Sequence, residues 1–265
     1  MSFYQSKITD YGYKEKVSVY NNSIEFSEET NTENLGLSLS RTNYKDMTES
    51  EKQKSDERRL RYYRRKVAEL IEIALMNDDI NTVITLTFKE AVTSYNYALA
   101  EWQLFLKRLR HICNCDLKYI CVWEYQRERS QKEGIENGGI FHFHCLTNLG
   151  YMEHSILERT WGNGFVWIDE LNNNKKREIA IRYTVKYCTK EITKRIESGE
   201  DIRGQRFFFT SNNLLKPKES VIDERIELSD IIFEHMEDMI RDGSYSIRNS
   251  KGQIINTVNY IEYKK

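Results

Sequence analysis

Apolar positions recur at two different periods along this chain, and the switches between the periods mark out its elements. From Thr48 to Met76, residues Leu60, Tyr63, Val67, Leu70, Ile71 and Ala74 fall at the spacing of one helical face. Thr48 followed by Glu51 has the form of a capping box and predicts where that helix starts. A polar run at 77–81 ends it. Thr82 to Phe88, TVITLTF, is β-branched and reads as a buried strand. The helical period returns over Ala91–Ile112, with Tyr95, Leu99, Trp102, Phe105, Leu106 and Leu109 on one side. Leu117–Gln126 and Ile140–Asn148 predict two further strands, joined by a long charged loop at 127–139. A short helix over Ser155–Trp161, a strand over Gly164–Leu171, a helix over Glu178–Ile196 and a short strand over Arg206–Thr210 follow. Leu228–Arg241 is expected to be helical and Ser244–Tyr263 to form a hairpin. Ahead of Thr48 the chain is polar, and alternation around Val17–Phe26 allows a hairpin or a loose arm.

The central order is strand, helix, strand, strand, helix, strand, helix, strand. It predicts an α+β fold with a ferredoxin-like split βαββαβ core and a central antiparallel five-stranded sheet. An N-terminal helix and a C-terminal helix and hairpin are additions to that core. The expected division is residues 1–77 as an N-terminal arm and basic helix, 78–218 as the central domain, and 219–265 as a C-terminal extension. The single proline, Pro217, marks the second break. Such a fold names no activity by itself.

Composition narrows the class. A chain of 265 residues with 39% hydrophobic content can bury a good core. No apolar run approaches the ~18 residues of a membrane span, and no signal peptide opens the chain. The five cysteines have no framework spacing and read as reduced thiols, so a cytoplasmic location is expected. His111, Cys113 and Cys115 lie close together but lack a second ligand pair for zinc. Net charge is −1, so any hold on nucleic acid must come from local clusters. Arg58, Arg59, Arg61, Arg64, Arg65 and Lys66 form the densest, with Tyr62 and Tyr63 among them. Taken alone, such a cluster is more commonly a solvated helix face.

The chemistry concentrates in two places. In His142-Phe143-His144 the imidazoles stand at i and i+2 on a strand and point to one face, as two ligands of a single divalent ion would. Glu124 and Gln126 share a face of the neighbouring strand, and either could add an oxygen ligand. Such a set leaves open positions on Mg²⁺ or Mn²⁺, where a phosphate oxygen could be polarised. Tyr183 and Tyr187 are four residues apart on a helix, with Lys186 between them and Lys190 extending the positive strip. A phenol near a metal-bound phosphate can attack phosphorus. The plainer alternative is two packing tyrosines on an amphipathic helix.

The ordered set Thr85-Leu86-Thr87, His142-Phe143-His144 and Tyr183-Thr184-Val185-Lys186-Tyr187 resembles the three motifs of the HUH endonuclease superfamily. Within it the resemblance is to rolling-circle replication initiators of small phages and plasmids, in their two-tyrosine form. Arg206–Ser211 followed by Leu214-Leu215-Lys216-Pro217 also resembles a segment of those proteins, and the likeness covers roughly residues 80–218. The resemblance implies that 78–218 is an endonuclease domain that nicks single-stranded origin DNA and rejoins strands. It implies that His142 and His144 hold the cation with Glu124 or Gln126, and that Tyr183 is the primary and Tyr187 the second nucleophile. Lys186 would position the scissile phosphate, and the helix carrying Arg58 to Lys66 would position DNA in a bacterial host cell. No GxxxxGK[ST] phosphate loop occurs in the chain, so a host helicase is the expected partner for strand separation. A transposase or relaxase-type nickase, or a DNA-binding protein without catalysis, are the alternatives.

Overall fold

The structure, a computed structural model, describes residues 2–26, 44–77, 80–113, 115–135, 139–197, 206, 208–249 and 252–265. In chain order its elements are β1 (Ser2–Asp10), β2 (Lys14–Phe26), α1 (Glu49–Met76), β3 (Thr82–Thr87), α2 (Tyr95–Ile112), β4 (Tyr119–Tyr125), α3 (Arg127–Lys132), β5 (Phe141–Thr147) and α4 (His154–Trp161). They continue with β6 (Val166–Glu170), α5 (Asn174–Glu197), β7 (Phe208–Thr210), β8 (Lys218–Ile222), α6 (Leu228–Glu234), β9 (Met239–Arg248) and β10 (Ile254–Lys264). The fold is α+β, and its described strands form two antiparallel five-stranded sheets.

The chain falls into two compact units, Met1–Met47 with Lys216–Lys265, and Thr48–Leu215. This corrects the expectation of three consecutive segments. The N-terminal strands and the C-terminal hairpin are halves of one sheet, ordered β8-β1-β2-β10-β9, because β2 pairs with β10 from Lys14↔Lys264 to Tyr20↔Val258. Of the two expectations for the N-terminal stretch, the hairpin is present as β1–β2, built into this sheet by the pairing of β2 with β10. One face of this sheet buries Val17, Val19, Ile261 and Tyr263, with Leu228 and Ile231 of α6 packed against them. The helix expected over 228–241 stops at Glu234, since Met239 onward joins β9.

The second unit contains α1, which the local pattern alone assigns to the N-terminal segment. Its sheet is ordered β6-β3-β5-β4-β7. The first four strands have the order of a split βαββαβ core: each helical crossover skips one strand, and β4 and β5 pair as a hairpin. One face carries Phe143, Cys145, Trp123 and Leu86, all buried against α2 and α4. Trp102 of α2 stacks on Phe143 with ring centroids 5.5 Å apart, and Phe105 meets Trp161 of α4 edge to face. All three buried tryptophans, Trp102, Trp123 and Trp161, belong to this core. The other face meets α1 and α5: Tyr63 of α1 meets Phe208, and Tyr187 of α5 meets His144.

Local chemistry explains the helix limits. The capping box at the start of α1 is present: Thr48 N–H donates to Glu51 Oε2 at 2.9 Å, and Glu51 N–H donates to Thr48 Oγ1 at 3.4 Å. Val67, Ile71, Ala74 and Leu75 form the buried stripe of its second half. The charged loop at 127–139 is not wholly irregular, because Ser130 Oγ donates to the Gln126 carbonyl and closes the short helix α3.

Candidate metal and tyrosine site

Register sets the first part of the site. On the hairpin β4–β5, Glu124 stands directly opposite His142 and Val122 opposite His144. Directly paired residues of antiparallel strands project to the same face. Phe143, between the two histidines, points into the core instead. Glu124 Oε1 lies 3.2 Å from His144 Nε2 and 3.7 Å from His142 Nδ1. Thr85, paired with His144 on the far side of β5, places Oγ1 3.2 Å from His144 Nδ1. The two imidazole centroids are 4.5 Å apart.

These contacts fix the electrostatics. Burial pushes the Glu124 carboxyl up, but the hydrogen-bonded imidazoles of His142 and His144 outweigh it and hold the group below the usual carboxylate range. Burial also lowers the pKa of His142, against the opposing pull of Glu124, which favours the neutral ring that a cation requires. His142 Nε2 is buried with no hydrogen-bond partner. An unpartnered buried nitrogen of this kind is destabilising unless something completes it.

Glu124, His142 and His144 are the cluster among the described residues that could hold a metal ion, each offering one ligand atom within 4.8 Å of the others. The donor set fits a divalent cation. The 3.2 Å between Glu124 Oε1 and His144 Nε2 is close to the ~3 Å edge of an octahedron with ligands at ~2.1 Å. Of the two candidate oxygen donors, the structure brings Glu124 to the imidazoles. Gln126 lies one residue beyond β4 as the N-cap of α3, with φ −72° and ψ 79°, so strand alternation no longer governs its side chain. Its Oε1 is buried without a hydrogen-bond partner.

The second part of the site comes from α5, whose Ala180 and Thr184 are buried. One helical turn apart, Tyr183 and Tyr187 face the histidine side of the sheet. The Tyr187 ring stacks on His144 at 4.5 Å with a 16° interplanar angle. Tyr183 meets Tyr187 edge to face at 4.5 Å, and its centroid is 6.3 Å from that of His144. Tyr183 is 50% exposed, whereas Tyr187 is half-buried. Burial, the hydrogen bond with Tyr183 and the charge of Glu124 all raise the Tyr187 pKa above its ordinary value. Lys186 and Lys190 are exposed on the same helix.

The basic cluster lies on α1, which packs along α5. Arg58, Arg61, Arg64 and Arg65 are exposed, and Arg59 is half-buried with its guanidinium 5.6 Å from the Tyr63 ring. Sequence reasoning misses the direct role of Thr85 in fixing the His144 ring. Its alternation with Thr87 in β3 is the available signal, but the pairing partner is set by register.

Fold and site together define a class: a split βαββαβ sheet with a carboxylate–imidazole cluster under a pair of helix-borne phenols. Residues 81–192 match a family model of replication-associated proteins, a span that includes Glu124, both histidines and both tyrosines. This region is thus similar to proteins associated with replication. No curated protein and no solved structure matches the chain.

Proposed function

We propose that the protein initiates rolling-circle replication by nicking single-stranded origin DNA through a tyrosine and later rejoining the strand. The observation that carries this reading is the stack of Tyr187 on His144 with Tyr183 against it, which sets two phenols beside the Glu124–His142–His144 cluster. A divalent cation, Mg²⁺ or Mn²⁺, held by His142, His144 and Glu124 would supply positive charge to polarise a phosphate oxygen.

The chain's own groups do the rest. The Tyr183 oxygen attacks phosphorus, a bond from phenol oxygen to phosphorus forms, and the bond from phosphorus to the 3′ oxygen breaks. The phenol loses its proton and the 3′ oxygen gains one, so the DNA leaves with a free 3′ hydroxyl and a 5′-phosphotyrosine link. One phosphodiester replaces another, so the reverse attack by a 3′ hydroxyl rejoins strands without ATP. Tyr183 is the primary nucleophile because its exposure lets a strand approach. Tyr187, half-buried and stacked on His144, serves as the second nucleophile. Lys186 positions the scissile phosphate. Lys190 and the exposed arginines of α1, Arg58, Arg61, Arg64 and Arg65, hold the flanking backbone together with Arg59. A host helicase supplies strand separation.

The test is covalent capture. Labelled single-stranded origin DNA is incubated with the protein and Mn²⁺, and an adduct that survives SDS is measured. Wild type is expected to form it, Tyr183→Phe to lose most of it, and the double variant Tyr183→Phe, Tyr187→Phe to form none. An adduct from the double variant overturns the reading. Full adduct from Tyr183→Phe with loss in Tyr187→Phe reverses the order of the tyrosines.

A further inference from the structure

The sheet face that carries the histidines extends past them to β6, and one row of side chains crosses it. Val122, His144, Thr85 and Trp167 are consecutive cross-strand partners on β4, β5, β3 and β6. All four therefore project to the same face. Two strand spacings separate Trp167 from His144, about 10 Å. Trp167 is 46% exposed on this row, while Val166 beside it is fully buried on the opposite face.

We propose that Trp167 is a base-stacking platform that holds a nucleotide next to the scissile phosphate. The proposal rests on the nicking reading and names a positioning residue for it.

Three observations carry it. First, the ring is held by a well-anchored strand. Gly164, with φ +149°, brings the start of β6 so close to β3 that an added Cβ would sit 2.4 Å from the Thr87 carbonyl oxygen and 2.5 Å from the Lys89 nitrogen. His154 Nε2 lies 2.6 Å from the Val166 carbonyl oxygen. Second, β6 is tied to the tyrosine helix. Lys176 Nζ, in the first turn of α5, lies 2.8 Å from Asp169 Oδ1, two residues beyond Trp167. Lys176 Nζ also donates to the Glu170 carbonyl at 3.1 Å, so the end of β6 and the start of the tyrosine helix are in direct contact. Third, the surroundings suit an unpaired base better than a protein partner. On this row only the threonine Thr85 stands between Trp167 and the imidazole of His144, so the ring borders polar groups on the side that faces the site. A flat indole at a polar surface can stack with the π-face of any base. Bases inside a duplex are stacked on one another and cannot reach it, so the platform selects single strands.

Tryptophan fluorescence tests this cleanly. Trp102, Trp123 and Trp161 are 1%, 1% and 0% exposed, so Trp167 is the indole that reaches solvent. The protein used is the full-length double variant Tyr183→Phe, Tyr187→Phe in EDTA, so that binding is read without chemistry. The probes are a thymidine oligonucleotide of roughly 12 nucleotides and an abasic oligonucleotide of the same length. The thymidine strand is expected to quench the fluorescence and the abasic strand to leave it almost unchanged. Trp167→Ala is expected to weaken thymidine binding about 10-fold, followed by anisotropy, with abasic binding unaltered and Trp167→Phe retaining most of the affinity. Equal quenching by both strands, or Trp167→Ala binding thymidine as tightly as its parent, overturns the platform. If wild type quenches as expected but forms no covalent adduct, the nicking reading fails while the base-stacking role stands. If adduct forms but Trp167→Ala has no effect on thymidine binding, the platform fails alone.

Discussion

At His144 the imidazole is gripped on both nitrogens, by Thr85 Oγ1 and by Glu124 Oε1, each at 3.2 Å. With Glu124 and His144 as proposed ligands, Thr85 is the outer partner that would orient the ring, and removing such a partner lowers metal affinity roughly 10- to 100-fold. Thr85→Val keeps the shape of the side chain and deletes its hydroxyl. The expected outcome is Mn²⁺ affinity lower by about that factor in a calorimetric titration, with the fold intact by circular dichroism. Unchanged affinity would mean that stacking on Tyr187 is enough to orient the ring. The pair His142 and His144 was readable from the sequence because strand alternation is a local rule. Which oxygen joins them was not, because Gln126 leaves the strand where α3 begins, and only the pairing of Glu124 with His142 separates the two candidates.

The elements of the second unit follow from short-range patterns. Helix α1 starts at its capping box, and its apolar stripe from Val67 to Leu75 is the buried one. Thr48→Ala removes the side chain that accepts the Glu51 N–H, and is expected to destabilise the unit by about 1 kcal/mol in urea unfolding. Thr48→Asp should recover most of that loss, because its carboxylate accepts the same hydrogen bond. Equal stability of the alanine variant would show that packing of the second half of α1 alone fixes the helix. Periodicity places strand β7 and the start of α5 only approximately. Their limits depend on the pairing of Phe208 with Val122 and on the Asn173 side chain, which accepts the Lys176 N–H at 2.9 Å.

Over the whole molecule, the first unit is closed by a buried charge cluster in the sheet that joins both ends of the chain. Glu262, 2% exposed, meets Arg241 Nη2 at 2.8 Å, Lys14 Nζ at 3.2 Å and Lys16 Nζ at 3.5 Å. Burial raises the Glu262 pKa, but these cations outweigh it and hold the group below its ordinary value. A depressed folded pKa gives stability that is fully present above the unfolded carboxylate pKa of about 4.3, and lost as pH falls through the folded value. Hydrogen exchange in β2 and β10 is therefore expected to accelerate as pH falls below about 4, after correction for the intrinsic rate. Glu262→Gln should lack that acid-dependent step and be less stable at neutral pH by roughly 3 kcal/mol, because the buried Lys14 loses the carboxylate that compensates its charge. An unaltered acid profile in the variant would assign the transition to other carboxylates.

The sequence alone determined what depends on near neighbours: the helical and strand periods, the cap of α1, the histidines at i and i+2, and the tyrosines one turn apart. These are consequences of backbone geometry over a few residues, so they are written into local spacing. Tertiary structure decided what depends on residues far apart in the chain. It joined the first and last strands into one sheet, placed α1 beside the tyrosine helix, chose Glu124 as the partner of the histidines, and set Trp167 on the same row as His144. Strand order and register arise from the packing of whole faces against one another, and no window of consecutive residues contains that information.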